Sequence, residues 1–130
     1  MPAPKRAFLA AIVLAMAVHA HLAPGAGQTQ MELNQQVGKA FLEADRRLNA
    51  AYTKLRARLS AASRARLQAA EEAWIRFRDQ ECAFVGSATE GGSIHSMIVA
   101  QCKTELTNRR TKDLEAQLNC QEGDLSCVRN

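Results

Sequence analysis

Leu33, Val37, Phe41, Ala44, Leu48, Tyr52, Leu55 and Leu59 recur at steps of three or four through the first half of the chain. No other feature restricts the fold as tightly. That spacing puts all eight side chains on one face of a long helix, whereas a strand would alternate them. A helix with one apolar face needs neighbours to cover it. "SAAS" at 60–63 follows, where Ser60 or Ser63 can cap a second helix. The stripe of this helix is read through Leu67, Ala70, Trp74, Phe77 and Phe84. Gly91 and Gly92 break it, since glycine takes backbone angles closed to other residues. Ser93 is placed to cap a third helix, with a stripe through Ile94, Ile98, Cys102, Leu106, Leu114 and Leu118. No segment alternates as a strand does, there are no internal repeats, and Pro2, Pro4 and Pro24 all precede the helical pattern. The predicted fold is all-α: a small antiparallel three-helix bundle, or a helical hairpin with a third helix packed on it.

The chain of 130 residues suits one small domain. Its start reads as an export signal. Lys5 and Arg6 precede the apolar run 7–18, "AFLAAIVLAMAV", which is too short to span a bilayer. Val18-His19-Ala20 then offers a cleavage site, so residues 1–20 are expected to be removed without leaving a membrane anchor. Residues 21–30, "HLAPGAGQTQ", are expected to be flexible, 31–118 to form the helical domain, and 119–130 a disulfide-closed tail. The expected location is the periplasm or the exterior. Losing Lys5 and Arg6 takes the formal charge from +4 to near +2. Over the whole chain that excess is weak and interleaved with acids, which argues against a nucleic-acid partner.

Four cysteines in an exported chain read as two disulfides, with three connectivities open. Zinc is disfavoured: Cys82, Cys102, Cys120 and Cys127 lack paired short Cys-x-x-Cys knuckles, and the compartment is oxidising. Helical register narrows the pairing. Cys82 and Cys102 each lie ten residues from Gly92, so a turn there puts them level on neighbouring helices, as a disulfide requires. The second helix then has to run past Cys82 to about Thr89. Cys120 and Cys127 close a separate loop, "CQEGDLSC".

The stretch "AWIRFRDQEC" at 73–82 is the densest mixture of aromatic and charged residues. Trp74 and Arg78 share a helix face, as do Asp45, Asn49 and Tyr52. A turn at Ala61–Ala62 puts Trp74 level with Asn49 and Arg78 level with Asp45. The expectation is a partly buried seam in which Arg78 pairs with Asp45 and Trp74 packs over the Asn49–Tyr52 level, while Glu72 and Arg76 pair on the outside. A catalytic Asp79/Glu81 pair is disfavoured, because residues two apart on a helix diverge by about 200°. His95 stands alone, the serines beside it lack an orienting partner, and "EGG" is no phosphate loop. The residues therefore suggest no catalytic group, metal or cofactor.

"QTQMELNQ", "EADRRLNAAYTKL", "AAEEAWIRFRDQECAF", "EGGSI" and "CKTELTNRRTKDL" follow one another in an order that resembles the bacterial exported family named for the lysozyme inhibitor LprI. The resemblance spans about residues 28–127. Its most specific element is Trp-x-x-Phe/Tyr-Arg-Asp-x-x-Cys, here Trp74, Phe77, Arg78, Asp79 and Cys82. It implies a helical, disulfide-bonded, non-enzymatic domain of the cell envelope. Many relatives carry two further cysteines near the start; "LNQQVG" has none. If those two pair with each other, their joint absence supports Cys82–Cys102 and Cys120–Cys127. The implied partner is a protein, with a lysozyme-like glycosidase as the specific expectation and an envelope scaffold role as the alternative. The segment 86–96, "GSATEGGSIHS", is the expected contact, with Glu90, Gly91, Gly92 and Ser93 at its centre, though it also reads as a plain turn. Animal lysozymes are basic, so a domain near +2 has no long-range attraction to them. Binding would rest on a local acid such as Glu90, placed where the two carboxylates of a glycosidase meet substrate.

Overall fold

A computed structural model describes residues 27–121 and 123–128. The expected export signal and most of the segment after it lie outside the described residues. Three helices follow: α1 (Gln30–Ala57), α2 (Ala61–Gly86) and α3 (His95–Leu118), with a 3-10 turn at Ser87–Thr89 after α2. The described residues form no strand, and none of their helices is long and apolar enough to cross a membrane.

α1 begins where the chain can satisfy its first N–H groups. The Thr29 side chain accepts from the Glu32 N–H, and the Glu32 side chain accepts from the Thr29 N–H, a reciprocal cap. Thr29 and Gln30 thus belong to the helix start. Ser60 caps α2 by accepting from Ser63 N–H. Ser93 does not cap α3. The residue in that position is Ile94, without a side-chain cap, and the Ser93 carbonyl accepts instead from Asn34 Nδ2 at 2.9 Å. α2 stops at Gly86, short of Thr89, and the 3-10 turn completes the connection.

α1 packs most extensively on α3, and α2 packs mainly on α3. The start of α1 meets the start of α3 and the residues before it, through Gln30 with Met97 and Asn34 with Ser93; Arg47 meets Asn108 midway, and Arg58 at the end of α1 meets Leu118 at the end of α3. These two helices therefore run parallel, and α2 is antiparallel to both. Small residues permit the close pairing: Ala44 and Ala51 on α1, Thr107 and Thr111 on α3 are all buried. Leu48, Ala51, Leu55, Leu59 and Leu114 form the core cluster, with Tyr52, Leu67, Trp74 and Leu118 packed against it. The Cys82–Cys102 disulfide ties α2 to α3, with Cα atoms 5.5 Å apart, and Cys120–Cys127 closes the tail.

The α2 stripe expected from sequence is rotated. Its buried residues are Glu71, Arg78, Cys82 and Gly86, while Phe77 and Phe84 are 52% and 74% exposed. The disulfide fixes which face of α2 meets α3, and Phe84, two residues beyond Cys82, is turned about 200° away.

Candidate functional site

The mixed stretch 73–82 is organised by Arg78, which is buried. A buried guanidinium is costly unless its donors are paired. Here Nη1 donates to Asp45 Oδ1 at 3.1 Å and to Thr107 Oγ1 at 3.4 Å, and Nε donates to Asp79 Oδ1 at 3.0 Å. Its charge also lies over the rings of Phe41 and Trp74, 5.1 and 5.4 Å from their centroids, a favourable cation–π geometry. Lys103 Nζ reaches Asp79 Oδ1 at 3.2 Å. All three helices meet at this one side chain. Trp74 and Tyr52 both pack against the core cluster, whereas Asn49 is exposed and donates to Asp45 Oδ2 at 3.2 Å. Glu72 accepts from Gln68 at 3.0 Å, and no Glu72–Arg76 bridge forms among the described residues. Partial burial works to raise the Asp79 pKa, but hydrogen bonds from Arg78 and Lys103, and their charges, outweigh it and hold the carboxyl below its usual range. A carboxylate so held is poorly suited to general acid–base work near neutral pH.

Sequence reasoning missed Phe41, Lys103 and Thr107 as members of this cluster. It also missed a second buried pair, in which Glu71 Oε2 accepts from Arg110 Nε at 2.9 Å. Periodicity gives no signal for buried polar residues, since it reads only the apolar ones.

At the α2–α3 end, Glu90, Gly91, Gly92 and Ser93 are exposed. Gly91 has φ +77°, a conformation that favours glycine. The turn is closely tied. Gly92 N–H donates to Thr89 O at 3.0 Å and His95 N–H to Gly92 O at 3.2 Å. The Thr89 hydroxyl donates to Gly86 O at 2.8 Å, and His95 Nδ1 lies 3.1 Å from the same carbonyl. These contacts satisfy a carbonyl that the end of α2 leaves open. A Cβ on Gly86 would come within 2.6 Å of Val99 Cγ2, so only glycine lets α3 approach so closely here. Cys82–Cys102 sits behind the turn. Exposed Phe84, Val85 and Ile94 flank it. Glu90 makes no ion pair among the described residues. The result is a closely tied, exposed turn whose one acid makes no ion pair among the described residues.

Cys120, Asp124 and Cys127 place their ligand atoms within 4.8 Å of one another. Both sulfurs are joined in a disulfide, so neither is available as a thiolate ligand. Hydrogen bonds from the Ser126 side chain and backbone lower the Asp124 pKa.

The chain is 31% identical over 107 residues to an uncharacterised protein of Rhizobium meliloti (strain 1021), covering 72% of this chain and 77% of that protein. No solved structure matches the chain. The family model described as "Lysozyme inhibitor LprI" matches residues 23–114, a span that takes in α1, α2, the Arg78 cluster, the 86–96 turn and most of α3. With the three helices, the Cys82–Cys102 staple and that match together, the chain belongs to the lysozyme inhibitor LprI family.

Proposed function

We propose that this is an exported protein of the bacterial cell envelope that acts by binding, and that its partner is a lysozyme-like glycosidase. Family membership supports the class of partner. The observation that supports the site is the 89–93 turn: Glu90 stands free on a backbone braced by the disulfide, Gly86, Thr89 and His95. Rigid presentation reduces the ordering cost of association, and Phe84, exposed near the end of α2, offers an aromatic side chain of the kind protein interfaces favour. Glu90 would approach the glycosidase where its own carboxylates hold substrate.

Charge favours a second reading. A mature chain near +2 is not attracted at long range to a basic lysozyme, which fits a scaffold role toward another envelope protein. A lysozyme activity assay with the mature protein added separates the two. Inhibition that is lost in Glu90→Lys and when residues 89–92 are replaced supports the proposal. Inhibition that survives both changes moves the site to a helix face, and none across several lysozymes leaves the scaffold reading.

A further inference from the structure

We infer that the α1–α2 hairpin end is a docking surface for an anionic phospholipid bilayer. Between Arg46 and Ala70 the chain carries seven Lys and Arg and no Asp or Glu, leaving ten cations against thirteen acids elsewhere. The fold gathers that stretch in space. It comprises the second half of α1, the connecting turn and the first ten residues of α2; Arg46 and Arg47 pair with Glu43 about three turns before the end of α1, and the other five cations lie nearer the hairpin end.

They ring that end on its several sides. Arg56 and Arg64 line a shallow depression of ≈ 290 Å³ with Tyr52, Thr53, Ala57 and Gln68, without a carboxylate among them. Arg47, Lys54 and Arg58 line a second, where Glu115 of α3 is the one acid. Arg66 lines a third beside Arg110 and Asp113. Lys54, Arg56 and Arg66 are exposed and make no ion pair among the described residues. Arg64 Nε donates to Leu59 O at 2.9 Å, which holds its guanidinium against the hairpin end. Ala61 and Ala65 lie beside Arg56 and Arg64, and their short side chains leave those longer cations unobstructed.

The shape decides between polyanions. A ring of cations around a convex end matches a plane of phosphates. A nucleic-acid duplex asks for a helix or strand that enters a groove, and a single strand for exposed aromatic platforms; Tyr52, the one aromatic in the stretch, is half-buried in the core. Basic clusters of this size are attracted to anionic leaflets, each cation adding to the pull. α2 is about 39 Å long at 1.5 Å per residue, so a docked molecule would hold the Glu90 turn, at its other end, away from the bilayer.

The test is co-sedimentation of the exported protein with phosphatidylglycerol-rich vesicles and with pure phosphatidylcholine vesicles, at low and high salt. Binding is expected only to the anionic vesicles and only at low salt. Arg56→Glu with Arg64→Glu should weaken it at least about tenfold. Lys39→Glu with Arg76→Glu makes the same change in net charge elsewhere and should weaken it by less than about threefold. Far-ultraviolet circular dichroism and free-thiol counts check folding; if the Glu pair misfolds, Arg56→Gln with Arg64→Gln replaces it. Absence of binding to anionic vesicles, equal loss in the two charge-matched variants, or tighter binding to duplex DNA at the same salt would each overturn the inference. The lysozyme assay does not depend on these residues, so the two proposals stand or fall separately.

Discussion

Arg78 holds one residue from each helix. It takes Asp45 of α1 and Thr107 of α3 on Nη1 and its own neighbour Asp79 on Nε, with Phe41 and Trp74 against its faces. Removing it leaves Asp45 without its cation in a partly buried place and leaves Asp79 to Lys103 alone. Arg78→Ala should therefore cost about 2 kcal/mol, against a few tenths for exposed Arg76→Ala; denaturant midpoints measure the difference, and equal midpoints would reduce Arg78 to a surface charge. Gly86→Ala should also destabilise, because its Cβ would press on Val99 at 2.6 Å and displace α3 from the turn. Asp79 gives a pH dependence with a definite sign. Its folded pKa lies below the usual 3.8, so its contribution is present above that pH and is lost as pH falls through the lowered value. Stability measured between pH 5 and pH 3 should fall more steeply in the native protein than in Asp79→Asn. The difference should be small, because the carboxyl is 45% exposed and solvent screens it.

At the scale of the element, α2 differs most from what its sequence suggests. Of its expected stripe, Leu67 and Trp74 pack against the core cluster while Phe77 and Phe84 face outward, and the residues it buries most deeply include Glu71, Arg78 and Cys82. Phe84→Ser should shift stability by no more than about 0.5 kcal/mol, while Leu48→Ala on α1 should cost about 3 kcal/mol. Equilibrium unfolding of the two variants checks this, and a large loss for Phe84→Ser would put that ring in the core. The disulfides differ in the same way. Cys82–Cys102 joins two helices and closes a 20-residue separation, so its double alanine variant should lose about 3 kcal/mol. Cys120–Cys127 spans 7 residues beyond α3 and constrains only the tail, so its removal should leave the unfolding of the bundle less affected.

For the molecule as a whole, packing is uneven. α1 and α3 lie close through Ala44, Ala51, Thr107 and Thr111, whereas a groove of ≈ 420 Å³ lined by Asn49, Tyr52, Glu71 and Ile75 separates α1 from α2. Residues 61–70 of α2 contain no fully buried side chain. Amide hydrogen exchange should accordingly be fastest in that part of α2 and slowest at 44–55 and 107–114. Uniform protection along α2 would contradict the uneven packing. The two ends also differ: one gathers Lys54, Arg56, Arg58, Arg64 and Arg66 with Asp113 and Glu115 of α3 beside them, the other presents Glu90 with exposed apolar residues nearby in sequence.

Local rules made much of this legible in the sequence. The extent of α1 follows from its apolar steps and the start of α2 from Ser60, whereas α2 ends at Gly86, before the expected stop at Gly91. The Cys82–Cys102 pair follows from equal spacing about Gly92, because a turn fixes the register of an antiparallel pair. The same arithmetic puts Arg78 level with Asp45, and the two are bonded. Tertiary structure alone decided the rest. The two turns make α1 and α3 parallel, but which two helices pack closest depends on where alanine and threonine face each other, and that cannot be read from the turns. The rotation of α2 was set by a disulfide and by buried Arg78 and Glu71, whose burial is favourable only when their charge partners on other helices are in place. For the same reason Lys103 and Thr107, distant in sequence from Arg78, join its cluster only once α3 has folded back beside it.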